Sequence, residues 1–146
     1  MGCVDACPKS AITVSLGPDG HNYPSVNPDT CVNCRICEKR CPVVSNYNYG
    51  TNSFESRPFA GWSADPGIRV NGATTGLFGT MAIYAINNGW KVAGAVMDGV
   101  TCRYILTDKV EDIRAIQGSK YTESNPAGIY KAIYECVRGG RKVLFG

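Results

Sequence analysis

The 146-residue sequence has no apolar run approaching the roughly 18 residues that a membrane-spanning helix needs. The opening stretch, MGCVDACPKS, does not show the charged-then-apolar signature of a secretory signal. The simplest expectation is a cytoplasmic chain without a membrane span. Charge of one sign is scarce too. The net charge is only +3, and the basic residues are scattered rather than gathered into a stripe, so a nucleic-acid footprint is not expected. There is no G-x-G-x-x-G, and with it goes the standard Rossmann fingerprint. Histidine is nearly absent. The one present, His21, falls in the turn-like DGHNY, where an exposed residue without a role is the simpler reading than an extra ligand or proton shuttle.

Cysteine, by contrast, is abundant. There are eight, and six fall within the first 41 residues. In a reducing compartment that density points to metal or catalysis rather than to disulfides. Spacing chooses between metals. Structural zinc sites favour two C-x-x-C pairs separated by a longer loop. CVNCRICEKRCP (31–42) instead reads C-x2-C-x2-C-x3-C-P, the bacterial ferredoxin run in which three thiolates hold one 4Fe–4S cluster and the fourth serves its neighbour. Pro42, with fixed φ and no N–H, helps turn the chain away.

Upstream, GCVDACPKSAI carries Cys3, Cys7 and Pro8 at the spacing of the second half of the same motif. The matching first half falls upstream of Met1, so a two-cluster module incomplete at its N-terminus is expected. By the exchange of fourth ligands, Cys7, Cys31, Cys34 and Cys37 form a complete cluster, while Cys3 and Cys41 belong to an incomplete one. Between the motifs, residues 11–16 (AITVSL) predict a strand, GPDG a turn and NYPSV a returning strand. Large apolar residues are few, so the clusters are expected to staple the module. The two remaining thiols, Cys102 and Cys136, read as buried free cysteines.

Residues 45–58, rich in Asn and Ser and ending in Pro, read as a linking or wrapping segment. The division is therefore a ferredoxin-like module over 1–50, a linker over 51–58 and an α/β part over 59–146. In the last, FAGWSA, KVAGAVM, TCRYILT and RKVLFG predict strands. TGLFGTMAIYAINNG predicts a helix with Leu77, Met81, Tyr84 and Ala85 on its apolar stripe and Gly89 as its stop. Asp108 and Glu111 suggest a capping-box start to a helix ending at Ile116. Asn125 and Pro126 are expected to open another helix, with Ile129, Ile133 and Val137 on one stripe. Two loops look chemical. NGATTGLFG (71–79) runs straight into a helix whose start, with Thr74 and Thr75, would suit a phosphate. QGSKY (117–121) offers Lys120. Alone, each is a weak signal, and an ordinary helix-bounding turn accounts for it.

A ferredoxin-type motif followed by GWSADPGIRVNGATTGLFG, KVAGAVMD, IQGSKYTES and GRKVLFG resembles the beta-subunit family of coenzyme F-420-reducing hydrogenases and dehydrogenases. The resemblance runs over nearly the whole chain. It implies an iron–sulfur flavoprotein oxidoreductase that passes electrons between 4Fe–4S clusters and a non-covalently held FAD, and on to a deazaflavin coenzyme or another acceptor. It implies flavin contacts at Arg69, Thr74, Thr75, Gly76, Ser119, Lys120 and Tyr121. Tyr104 stands near the place where many members carry a histidine. The implied partners are a redox protein or subunit and a small-molecule donor or acceptor. The fold class expected is thus a two-cluster ferredoxin module of α+β type followed by the start of an α/β flavin-binding domain. The family continues beyond the VLF strand, so the chain reads as a fragment, itself expected to bind FAD weakly and to show no turnover. The alternatives are a plain ferredoxin-type electron carrier with a partner-docking domain and no flavin, and a zinc-stabilised interaction protein.

Overall fold

Glycine and aspartate at the tip of GPDGH close the first element of the chain into a hairpin. Strands β1 (Ile12–Leu16) and β2 (Asn22–Val26) pair antiparallel from Ile12↔Val26 to Leu16↔Asn22. Gly20 takes φ +81° in the turn, and the Gly17 N–H donates to the His21 carbonyl at 2.7 Å. Gly17 has no room for a side chain, because a Cβ there would lie 2.6 Å from the Tyr23 ring. That ring is held in place by its hydroxyl, which donates to Asp19 Oδ2 at 2.6 Å. Pro24 is tolerated in β2 because this sheet has only two strands and asks for no further donor there. The hairpin is flanked by two short helices, α1 (Gly2–Ala6) and α2 (Ile36–Lys39), which touch each other. Ala11 and Ile12 are the only core hydrophobics buried among the described residues of this module. So thin a core leaves the module dependent on some other staple.

The structure, a computed structural model, describes residues 1–45, 57–73 and 75–146. Most of the expected linker, 51–56, and Thr74 lie outside these.

The remainder is a mixed sheet of four strands in the order β5-β4-β3-β6. Helices α3 (Pro66–Asn71) and α4 (Leu77–Asn87) precede its central strand β3 (Lys91–Asp98), which turns back as β4 (Thr101–Thr107). A 3-10 turn over Val110–Asp112 leads into α5 (Ile113–Ile116). The short β5 (Ser124–Asn125) then runs parallel to β4, and after α6 (Ile129–Arg138) the strand β6 (Val143–Phe145) runs parallel to β3. The core gathers Ala82 and Ala85 of α4, Val92 and Val96 of β3, and Ile113 and Ile116 of α5. A Cβ on Gly94 would collide with the Ile116 side chain, so only glycine lets α5 sit this close to β3.

Several expectations are corrected. FAGWSA is no strand: Phe59 and Trp62 stay exposed, and the inward residue is Ser63, which is 1 % exposed. Its hydroxyl accepts from Thr80 Oγ1 at 2.8 Å, and its N–H donates to the Thr75 carbonyl at 2.8 Å. The helix over TGLFGTMAIYAINNG forms, but Leu77, Met81 and Tyr84 face outward, while Ala82 and Ala85 pack in the core with Val92 and Val96 and Gly79 is buried against Gln117 and Ile68. Small residues win that face because they let the helix axis approach the strands closely. The capping box of Asp108 and Glu111 does not form. Asp108 instead lies between Lys91 (3.6 Å) and Arg141 (3.4 Å). Asn125 and Pro126 stay outside α6, which begins at Ile129 with Gly128 at φ +87° as its N-cap. On α6, Ile129 is buried but Val137 is exposed. Of the two loose thiols, Cys102 is buried and Cys136 only partly so.

Candidate cluster site and glycine-lined cavity

The loop 31–37 winds tightly because Asn33 and Arg35 both take left-handed backbone, φ +52° and +57°. Non-glycine residues adopt that region at a cost, and it recurs where a chain wraps a functional centre. Ser10, φ +50°, does the same behind Cys7. The two segments close on a cavity of about 290 Å³ whose wall includes Cys7, Cys31, Cys34 and Cys37. Cys3 and Cys41 are not in that wall. The sulfur of Cys7 accepts the Ala11 N–H at 3.3 Å, the kind of donor that steadies a thiolate's negative charge. The Cys31 thiol donates to Asn33 Oδ1 at 3.8 Å. Pro8, Ile12, Val26 and Val32 give the wall an apolar share. Four cysteines in one cavity wall, at ferredoxin spacing, are a donor set that fits a 4Fe–4S cluster.

A second cavity, about 310 Å³, lies in the α/β part. Its walls include Gly72, Ala73, Gly76, Phe78 and Gly79, the loop 117–120, Tyr104 of β4 and Ser124 of β5. Gly76 is the N-cap of α4, with φ +68°, and among the described residues no side chain caps that helix. A Cβ at Gly76 would also lie 2.8 Å from Arg69 Cα and from the Ile68 carbonyl. Glycine is thus required twice over: by backbone conformation and by the approach of α3. The result is a helix start, with its partial positive charge, opening on a concave surface.

The expected flavin contacts divide. Gly76, Ser119 and Lys120 line this cavity, while Arg69, Thr75 and Tyr121 do not. Tyr121 is 97 % exposed. Lys120 is committed elsewhere, for its ammonium donates to the carbonyls of Ala115 (3.0 Å), Ile116 (2.7 Å), Gln117 (2.8 Å) and Gly118 (3.0 Å). It closes the C-terminal end of α5, where a cation meets the negative end of the helix dipole. Burial pushes its pKa below the ordinary lysine value, with the Cys102 thiol opposing that shift. Sequence reasoning missed Gln117 and Ser124. Ser124 Oγ lies 2.9 Å from the buried Cys102 sulfur, a contact that parallel pairing of β5 with β4 creates and no local motif announces. Tyr104 stacks on Phe145 at 5.5 Å between centroids, and Phe145 in turn meets Tyr130 at 6.2 Å.

With this geometry in place, comparison with known proteins separates the two halves. Residues 1–44 match the family model described as a 4Fe-4S dicluster domain. Residues 58–129, just under half of the chain, match the model described as "Coenzyme F420 hydrogenase/dehydrogenase, beta subunit N-term". The chain carries this beta-subunit domain behind a ferredoxin-type one. The dicluster half is 42 % identical over 43 residues to Ferredoxin-1 of Caulobacter vibrioides, which is 30 % of this chain and 34 % of that protein. It is 42 % identical over 45 residues to a ferredoxin of Alicyclobacillus acidocaldarius subsp. acidocaldarius, or 31 % of this chain and 51 % of that one. The chain thus spans a third to a half of the length of these relatives, and each match covers under a third of this chain. It is an iron–sulfur protein of ferredoxin type joined to a beta-subunit domain. Among the described residues, no helix is long and apolar enough to cross a membrane.

Proposed function

We propose that the protein is the electron-transferring iron–sulfur flavoprotein subunit of an oxidoreductase, and that it exchanges electrons with a redox partner and with a deazaflavin coenzyme or another small acceptor. The observation that carries this reading is the pairing of two cavities in one chain. One is ringed by four cysteines, and the other is lined by glycines at an uncapped helix start. Cys7, Cys31, Cys34 and Cys37 hold one 4Fe–4S cluster, and Cys3 and Cys41 contribute to a second. Clusters of this type carry single electrons, and a flavin that has taken up two of them with a proton can pass them on as one hydride. The Ala11 N–H offsets part of the negative charge on the Cys7 sulfur. In the second cavity, Gly76 and the start of α4 would hold the flavin pyrophosphate, with Ser119 offering a hydroxyl. Lys120 contributes by holding the loop 117–120 rather than by touching phosphate.

The test is equilibrium dialysis of FAD against the natural full-length protein after anaerobic iron loading. Wild type is expected to retain FAD. Gly76→Val, which strains the left-handed position and fills the approach to α3, is expected to lose most of that affinity while keeping its iron. Absence of FAD binding by iron-loaded wild type would overturn the flavin half of the proposal. It would leave the second reading, a ferredoxin-type carrier whose α/β part docks a partner. One observation favours that reading: of the two cations expected to meet a flavin phosphate, Arg69 lies outside the cavity wall and Lys120 is spent on carbonyls.

A further inference from the structure

Helix α6 begins without a cap of its own. Gly128, left-handed at φ +87°, has no side chain to offer, and Ala132 is the first residue to close a turn, on the Gly128 carbonyl. The orphan donors are met from 123 residues away. Asp5 Oδ1 accepts the Gly128 N–H at 2.6 Å, and Oδ2 accepts the Lys131 N–H at 3.1 Å. A carboxylate there satisfies two of the first-turn donors and complements the helix dipole. Asp5 is no bystander in its own module either. It sits on α1 between Cys3 and Cys7.

The surroundings repeat the pattern. A cleft of about 450 Å³ separates α1 and α2 from α6. Apart from Asp5, its module wall is Gly2, Ala6, Ile36 and Arg40, the sequence neighbours of Cys3, Cys7, Cys37 and Cys41. A second carboxylate works in the opposite direction. Glu123, from the α/β domain, accepts the Asn22 N–H at 3.0 Å and meets His21 Nδ1 at 3.3 Å on the hairpin.

We propose that Asp5 is a positioning residue: it caps α6 from outside the α/β domain and so holds the cysteine-bearing helix α1 at a fixed place on that domain, with Glu123 as the second anchor. The consequence for the clusters rests on the ligand assignment proposed above, but the clasp itself does not. Two separated anchors, one on α1 and one on the hairpin at His21 and Asn22, restrain rotation as well as distance. That is the property needed to keep the cysteine cavity in one orientation towards the flavin-type cavity.

Hydrogen–deuterium exchange on the iron-loaded protein tests this, with wild type compared to Asp5→Ala, Asp5→Asn and Glu123→Gln. In Asp5→Ala, amides 128–131 should exchange roughly fivefold faster, the scale of a lost N-cap, and α1 should lose protection with them. Iron content and visible spectrum should stay as in wild type. Asp5→Asn, which keeps one carbonyl acceptor, should recover part of the protection, and Glu123→Gln should speed exchange at Asn22 but not at 128–131. Amides of β3 and β4 should not change in any variant. Wild-type exchange at 128–131 in Asp5→Ala would overturn the proposal, as would uniform acceleration that includes β3 and β4. Should wild type take up no iron, the ligand assignment falls while the exchange comparison still decides the clasp.

Discussion

Single atoms decide more here than residue class suggests. Gly79 and Gly94 both face close neighbours, but the neighbours differ in kind. At Gly79 the nearest atom is the end of the Gln117 side chain, which can swing, whereas at Gly94 it is a γ-carbon of buried, branched Ile116. Gly94→Ala should therefore cost about 1–3 kcal/mol by overpacking, and Gly79→Ala distinctly less. Denaturant midpoints of the two variants check the order. Ser63→Ala removes a buried hydroxyl that accepts from Thr80 Oγ1 and from the Asp65 N–H, and should cost about 1 kcal/mol in the same assay. Lys120 illustrates how a role can be misread from sequence. A lone cation in a glycine loop suggests an anion ligand, yet its four carbonyl contacts make it the cap of α5. Lys120→Met keeps the aliphatic stem and should still lower stability by about 1 kcal/mol, after allowance for partial exposure. An unchanged midpoint would show that the four carbonyls are served equally well by water.

At the level of elements, those whose signals are local were legible. NYPSV became β2 as expected, and KVAGAVM and TCRYILT became the antiparallel centre of the sheet. The four-cysteine run carried its own geometry in its spacing. What failed depended on partners distant in sequence. FAGWSA has strand-like composition, but no strand among the described residues pairs with it, and Ser63 is drawn to α4 instead. The apolar count on α4 pointed to Leu77, Met81 and Tyr84, since no rule of hydrophobicity favours Gly79 and Ala82 until the sheet beneath is known. Helix α3 was missed although its signal was plain. Asp65 accepts from Gly67 and Ile68 N–H groups at 2.7 and 3.2 Å, with Pro66 at the first position. Asp65→Ala should fray α3, with a loss of about 1 kcal/mol and faster exchange at Gly67 and Ile68. The capping of α6 by Asp5 could not be read at all, because its two ends are more than 120 residues apart.

For the whole molecule, the two halves differ in what holds them. The α/β part has a core of buried aliphatic residues on both sides of its sheet, while the ferredoxin-type part buries little. If iron and sulfide are that part's staple, their removal should unfold it selectively. After chelation, amides of β1 and β2 should lose protection, while those of β3 and β4 keep it. The clasp at Asp5 would then carry part of the loss into the first turn of α6. The central assignment is that Cys7, Cys31, Cys34 and Cys37 share one cluster to which Cys41 does not belong. Iron and sulfide determination on the 146-residue chain, which supplies all four ligands of that cluster alone, measures it in anaerobically reconstituted Cys34→Ser and Cys41→Ser. Most of the iron and of the dithionite-bleachable absorption should be lost in Cys34→Ser and kept in Cys41→Ser. Equal losses in the two variants would contradict it.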